Sequence, residues 1–405
     1  MNKDLYIAYL YNYLKYNEKK LINPINNFII SDLNQEYIPN SVTHIEFGYN
    51  FNQRLNEGDI PNWITHLTFG YDFNQSLKKD AIPNSVIDLT FGYNFNQPLK
   101  KGDIPNKVSH LRLGYNFNQP LKEGDISNTV THLTFGNNFN QSLKKDVIPD
   151  SVTHLTFGYC FNQPLEEGII PNSVTHFRFG YCFNQPLKAG DIPNGVTHLT
   201  FGHNFNQPLK KGDIPNQVTH LIFGSDFNQP LKEGIIPDSV THLTFRSEFN
   251  QPLKEGDIPN SVTHLRFGYW FNQPLKAGDI PNKVTHLTIG YNFYQKLDNI
   301  SNHLIELILY CPTLNTYLNE NILIAYLVYD NNDYKNYFLY NKYNIKIEYS
   351  EKKLFDNSMS NIDVNKLNGK MIMKELAEKV FHPTRLLNIS YKYNIDFIDL
   401  IDIYS

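Results

Sequence analysis

Cysteine is nearly absent from this sequence: three in 405 residues, too few for a disulfide framework. An excess of one charge is absent too, the net balance being −4, which argues against a nucleic-acid binder or a polybasic membrane protein. No apolar run approaches the roughly 18 residues that a membrane-spanning helix needs, and Ile322–Val328 is among the longest. The opening residues lack the charged region, apolar core and small-residue cleavage site of a secretory leader. These absences together lead to the expectation of an intracellular, cytoplasmic protein without a membrane partner. No phosphate-binding glycine loop and no Ser-His-Asp constellation stands out, so no catalytic residue and no cofactor is assigned, and no enzyme activity is expected.

What the sequence does contain is repetition. Ile104–Asp125 reads IPNKVSHLRLGYNFNQPLKEGD, and near copies begin at 38, 60, 82, 104, 126, 148, 170, 192, 214, 236, 258 and 280, always 22 residues apart. A fixed period of roughly 20–29 residues predicts a leucine-rich-repeat-like solenoid, mainly β. The expected organisation is an N-terminal cap over 1–37, twelve repeats over 38–299, and a C-terminal cap with a small helical domain over 300–405.

Aligning the copies by their period shows what each position of a turn requires. Val42, Ile45 and Phe47, like Ile64, Leu67 and Phe69, have the alternation of a short strand with one face buried, here about Thr43–Phe47. These strands should pair in parallel. Glycine follows the strand in eleven of twelve copies, Arg246 being the exception, and implies a corner needing positive φ or close backbone approach. A second corner carries Gly58, Gly102, Gly124 and others, with Asp80 and Asp146 as substitutes that tolerate the left-handed region. Pro98 and Pro105 around that corner leave no room for a helix, so the back of each turn should be extended or turn-like. Asn52 and its equivalents suggest a buried asparagine ladder. The position two residues earlier, held by Asn50, Asp72, Cys160, Glu248 and Trp270, is too mixed for that role.

Both ends of the chain depart from the repeat. Leu5, Ile7, Leu10 and Leu14 predict a short helix, followed by an irregular connection that covers the first turn. A thirteenth unit starts two residues early at Ile300 and loses the pattern by Tyr310. Amphipathic stretches then predict helices near Leu318–Tyr329 and Met371–Phe381. Others are expected after His382-Pro383 through Tyr393, and at Phe397–Ile403.

With Phe95-Asn96 and Ile104-Pro105, and Gly-Tyr-Asn-Phe-Asn-Gln-Pro-Leu between strand and corner, the array resembles the FNIP repeat family, known from dictyostelid amoebae and giant DNA viruses of amoebae. The closing stretch Glu375–Tyr404 is similar to a C-terminal tail of giant-virus proteins, which would place the chain in a host cytoplasm. The resemblance implies a protein-interaction protein, some members of the family also carrying an F-box or a kinase domain, and the expectation is a non-enzymatic scaffold. Neither domain matches here, and residues 1–37 lack the Leu-Pro start of an F-box. The expected partner is an unidentified protein, met by a monomer. The alternative is a substrate-recognition subunit of a ubiquitin ligase that engages an adaptor without a standard F-box.

Two repeated positions should project from the strands' outer face. Histidine fills one from His44 to His286 with Asp88 the single interruption, and reads as a packed polar ladder rather than a metal site, because parallel side chains do not converge on an ion. Its protonation as pH falls below about 6 should loosen the array. The other position is mostly threonine, and its departures, Arg112, Arg178, Ile222 and Arg266, are the candidate partner-binding residues. Lysines from Lys78 to Lys276, with Asp103, Asp125, Asp191, Asp213, Asp257 and Asp279 nearby, read as a mixed solvated edge rather than a nucleic-acid ribbon. Cys160 and Cys182 share a position in adjacent turns and read as free thiols.

Overall fold

A computed structural model describes residues 27–31, 33, 38–295, 304, 306–309, 323–329 and 335–340. They belong to two compact units, Met1–Gly136 and Asn137–Ser405. In the first, β1 (Asn27–Ile30), β2 (His44–Phe47), β3 (His66–Thr68), β4 (Asp88–Thr90), β5 (His110–Arg112) and β6 (His132–Thr134) pair in chain order, all parallel. In the second, β7 (His154–Thr156), β8 (His176–Arg178), β9 (His198–Thr200), β10 (His220–Ile222), β11 (His242–Thr244), β12 (His264–Arg266) and β13 (His286–Ile289) do the same. From β2 to β6 and from β7 to β13 each residue faces its equivalent 22 positions on, as in His220↔His242.

Each turn is a triangle with three tight corners. Around Ile104 these are closed by Val108 N–H to Pro105 C=O at 3.1 Å, Phe117 N–H to Gly114 C=O at 2.9 Å and Asp125 N–H to Lys122 C=O at 3.1 Å. Proline presets the backbone of the first corner, and glycine or Asp allows the third. Only three or four residues between corners are regular strand, and the back of the turn has none, as the prolines require. The core holds the expected columns, with Val108, Leu111 and Phe117 fully buried. Phe91 and Phe95 stack within one turn at 4.0 Å, while Phe95 and Phe117 stack between turns at 6.1 Å.

The two glycine columns serve different ends. At the corner before Asp, φ is positive at Gly102 (93°) and Gly190 (96°), and Asp80 and Asp146 adopt 61° and 66°. At the corner after the strand the reason is close approach: a Cβ on Gly180 would lie 2.0 Å from the Gly158 carbonyl oxygen of the preceding turn.

The ends differ from expectation. Among the described residues there is no helix, and so none long and apolar enough to cross a membrane. Asn27–Ile30, expected as irregular connection, is β1 and pairs with β2. Its Phe-Ile-Ile run has strand propensity, and β2 presents an edge of unsatisfied N–H and C=O groups for it to occupy. The helix expected at Leu318–Tyr329 is overturned for the same reason. β14 (Glu306–Leu309) extends the stack in parallel after β13, two residues early as the sequence indicates, and β15 (Leu323–Tyr329) follows it in parallel. β16 (Lys335–Tyr340) closes this end antiparallel to β15, an exception to the expected parallel pairing. Leu323–Tyr329 is rich in Ile, Val and Tyr, which strands favour, and an open sheet edge supplies what a solitary amphipathic stretch lacks. The helices expected at Leu5–Leu14, Met371–Phe381, up to Tyr393 and at Phe397–Ile403 lie outside the described residues.

The two glycine roles predict different costs. Gly180→Ala should destabilise by about 3 kcal/mol or more, because backbone must move. Gly190→Ala meets only the Glu167 side chain, at 3.4 Å or more, and should cost about 1 kcal/mol through its φ. Thermal melts of the two variants by circular dichroism check the order; equal melting temperatures would remove the distinction.

Candidate functional site

The outer face of the strands begins with the histidine ladder. In the first unit His44 stacks on His66 at 3.9 Å and His110 on His132 at 4.2 Å, separated by Asp88. In the second unit His154 through His286 form one stack of seven imidazoles, each 4.2 Å from the next and within 12° of parallel. The rings are half-buried. Each Nδ1 meets the hydroxyl of the residue before it, as in Thr197 Oγ1 to His198 Nδ1 at 3.0 Å, and that hydroxyl also reaches the Thr175 carbonyl at 3.1 Å. That carbonyl already accepts the Thr197 and His198 backbone N–H groups. The hydroxyl has one proton, so it donates to Nδ1 when that nitrogen is bare and turns to the carbonyl when Nδ1 carries the proton. The hydrogen bonds therefore accommodate either state, and what opposes protonation is burial and the neighbouring rings.

Burial first and neighbouring histidines second hold His198 and His220 below the usual imidazole value, and push His242 down to about 4. Burial and His44 lower His66 against the opposing pull of Asp88. No set of three or more His, Cys, Asp or Glu side chains among the described residues is placed to hold a metal ion.

The candidate partner-binding residues lie where the sequence puts them, on the outer face beside this ladder, but they are not alike. Arg112 sits diagonally across from Asp88, with Nη1 3.2 Å from Oδ1. The one acidic residue in the histidine column thus has its cation in the next turn, which accounts for an arginine there in structural terms. Arg178 and Arg266 stand between threonines on both sides, Thr156 and Thr200 for one and Thr244 and Thr288 for the other. Ile222 likewise lies between Thr200 and Thr244, half-buried.

Three further columns refine the surface. The aspartates beside the lysines are not solvated: Asp191, Asp213, Asp257 and Asp279 are buried, and each accepts the backbone N–H of the lysine three residues before it, at 2.8 Å for Asp191 and 2.7 Å for Asp213. Burial nevertheless raises the Asp191 and Asp257 carboxyls above the ordinary range. Where the Asp is missing an apolar residue is buried instead, Ala81, Val147, Ile169 or Ile235. That exchange between Asp and aliphatic residues is the sequence signal of an inward corner. The asparagine ladder exists, with Asn162 Oδ1 accepting Asn184 N–H at 2.9 Å and Gln185 Nε2 at 3.2 Å. It is half-buried rather than buried, because the amide aims along the stack at the turn's edge. Cys160 and Cys182 are free and half-buried, and burial pushes the Cys182 thiol up.

Sequence reasoning missed an aromatic ladder on the position after the corner glycine. Tyr49, Tyr71, Tyr93 and Tyr115 stack at 4.2–4.5 Å in the first unit. In the second, Tyr159, Tyr181 and His203 stack, as do Tyr269 and Tyr291. Tyrosine in eight of twelve copies was the available signal. Between His203 and Tyr269 the column holds Ser225 and Ser247, and its backbone ladder continues unbroken, with Asp226 N–H to His203 C=O, Glu248 to Ser225 and Trp270 to Ser247 at 2.8–2.9 Å. Around these serines several columns depart together: Ile222, Asp226, Arg246, Glu248, Arg266 and Trp270. Two of the four candidate residues, Ile222 and Arg266, thus border the most irregular part of the surface, while Arg112 and Arg178 do not.

Comparison with known families matches the FNIP Repeat in overlapping or adjoining windows from 31–72 through 271–311. Among solved structures the chain is similar to CroV588, described as a novel circular LRR protein structure, with 40% identity and a TM-score of 0.64. The match covers 71% of this chain and 47% of that one, so it spans about half the length of that protein. A comparison with curated proteins gives no match.

The imidazole stack predicts how stability varies with pH. The folded pKa values of His198, His220, His242 and His264 lie below the free value of 6.5, at about 4 for His242, so below pH 6.5 these four bind more protons in the unfolded chain than in the folded one. Stability from this source is complete above pH 6.5 and is lost as pH falls toward 4. The raised carboxyls of Asp191 and Asp257 act in the opposite sense, and only near the carboxylate range. The melting temperature should be level from pH 8 to 7 and decline from 6.5 to 5. His242→Gln should flatten that decline, and a level profile in both proteins would refute the account.

Proposed function

From the premise that the chain belongs to the FNIP repeat family, of leucine-rich-repeat type, we propose that it is a non-enzymatic scaffold that binds a protein partner through the outer strand face and its adjoining aromatic edge. The observation that carries this reading is the clustering of departures. A surface whose columns are mostly His, Thr, Tyr and Asn, with scattered exceptions elsewhere, changes in three adjoining columns within consecutive turns between Ile222 and Trp270. Residues that only maintain stacking would vary independently of one another, whereas a recognition patch needs different neighbouring columns to change together. Half-buried free thiols and the raised Cys182 value suit a reducing, intracellular setting. The partner is a protein, with neither nucleic acid nor membrane as ligand, and the scaffold acts as a monomer.

Full-length protein carrying Ile222→Thr and Arg266→Thr, each restoring its column, should lose the partner captured from source-cell lysate by at least tenfold, with the melting temperature unchanged. Arg112→Thr should leave capture intact, because its ion pair with Asp88 is structural, and should cost about 0.5 kcal/mol of stability. Capture unaffected by the first pair of substitutions would move the site elsewhere. Recovery of a ubiquitin-ligase adaptor by both variants would favour the substrate-recognition reading.

A further inference from the structure

We propose that the interruption at Ser225 and Ser247 is a slot that takes tyrosine or tryptophan side chains of the protein partner, completing the aromatic ladder between His203 and Tyr269. This rests on the interaction-face reading and gives the partner its chemistry.

The ladder defines the slot. Tyr181 stacks on the far side of His203 at 4.2 Å, and Tyr291 on the far side of Tyr269 at 5.4 Å. The inner faces of both rings therefore look along the column toward each other, across the two serines. Because the backbone ladder is continuous, the two rings stand three inter-turn steps apart, roughly 14 Å at ~4.8 Å per step. That is the length of ladder from which two rings are missing. Tyr269 is 46% exposed and Trp270, set edge-on to it at 4.8 Å, is 48% exposed, so one wall is an accessible aromatic corner.

The rim accounts for the choice of ring. Asp226, half-buried, and Glu248, exposed, follow the two serines in the chain, so a stacked guest would present its positive edge beside carboxylates. Asp226 Oδ1 lies 3.5 Å from His203 Nδ1, which meets Asn204 Oδ1 at 3.1 Å, so the carboxylate stands beside the slot's other wall. The serine hydroxyls at the floor offer partners to a phenol or an indole N–H, and phenylalanine has neither group. Arg246 and Arg266 border the strand side, where guanidinium groups favour aromatic faces. Arg246 is also the one residue other than glycine in a column where a Cβ meets the preceding carbonyl, at 1.8 Å for Gly224. The following turn keeps the same close approach, a Cβ on Gly268 lying 1.8 Å from the Arg246 carbonyl oxygen.

Saturation-transfer NMR on the full chain tests this with three probes: N-acetyl-tyrosine amide, N-acetyl-leucine amide and adenosine. Transfer should be strongest to the tyrosine ring protons and at least fivefold weaker to leucine. Filling the column with S225Y/S247Y should reduce the tyrosine signal at least fivefold and raise the melting temperature, whereas S225A/S247A, which leaves the gap open and removes only the hydroxyls, should lower the signal by less than filling does. Removing the walls with H203A/Y269A should also abolish it, which decides the matter should the filled variant fail to fold. Equal transfer to leucine, a signal unchanged by filling or by wall removal, or preferential binding of adenosine would overturn the proposal. Partner capture separates the two readings: loss in I222T/R266T with full retention in S225Y/S247Y overturns the slot alone, and retention in both overturns the face as well.

Discussion

Registry at 22 residues is the constraint on which the rest of the structure depends. Once the Thr197 and His198 N–H groups are bonded to the Thr175 carbonyl, and every turn does likewise within its unit, each side chain lies beside its own copy. A column is then filled by chemistry that tolerates itself at close range. Amides do so by pairing a donor with an acceptor, as the Asn ladder does with Gln Nε2 and backbone N–H. Phenylalanine does so by stacking, which adds about 0.5–1.5 kcal/mol per pair beyond burial. Imidazole does so only while neutral. Carboxylates fit because each Asp is bonded back into its own corner, to the N–H of the lysine three residues earlier, instead of facing the next Asp across water.

The same rule explains why exceptions come with compensation. Asp88 breaks the histidine column and Arg112 answers it from the following turn. Asp80 and Asp146 replace glycine at positive φ, where their short polar side chains are among the few tolerated. The aliphatic residues at 81, 147, 169 and 235 replace a buried, bonded carboxylate with a buried hydrocarbon, the two arrangements that leave no uncompensated charge inside. Ser225 and Ser247, like Asn137 in the same column, remove ring-on-ring contact and nothing within the column restores it, but only the serines do so over two consecutive turns.

Legibility in the sequence followed from the same physics. Strand, corners and core columns were readable because identical spacing at Val108, Leu111 and Phe117 recurs with period 22, and periodicity reports burial directly. The strand character of Asn27–Ile30 and Leu323–Tyr329 was not, because those segments have no repeat and owe their conformation to pairing with β2 and β14. The buried aspartates were misread because a charged residue next to lysine suggests solvent; only its alternation with Ile and Val reveals an inward position. The tyrosine ladder was overlooked because one tyrosine in a polar segment looks incidental, and its stacking is a property of neighbouring turns rather than of any one copy. Of the four candidate residues, the sequence could locate all on the outer face, but it could not show that Arg112 is tied to Asp88.

A stacked repeat has few independent ways to create a specific surface. Strand positions that point inward are committed to the core, corner glycines to close approach, and Asn and His to contacts with their own copies. What remains is the outer Thr column, the aromatic edge and the column beside it, and a change in one of these alone alters a strip only one residue wide. Recognition of a folded or extended partner needs width as well as length, hence simultaneous change in adjacent columns over consecutive turns. Between Ile222 and Trp270 that condition is met: the outer column changes at Ile222 and Arg266, the aromatic column at Ser225 and Ser247, and the one beside it at Asp226, Glu248 and Trp270. Stiffness favours such a patch, because the turns on either side hold its walls in place through the same ladders that the patch interrupts, and a preordered site loses less entropy on binding.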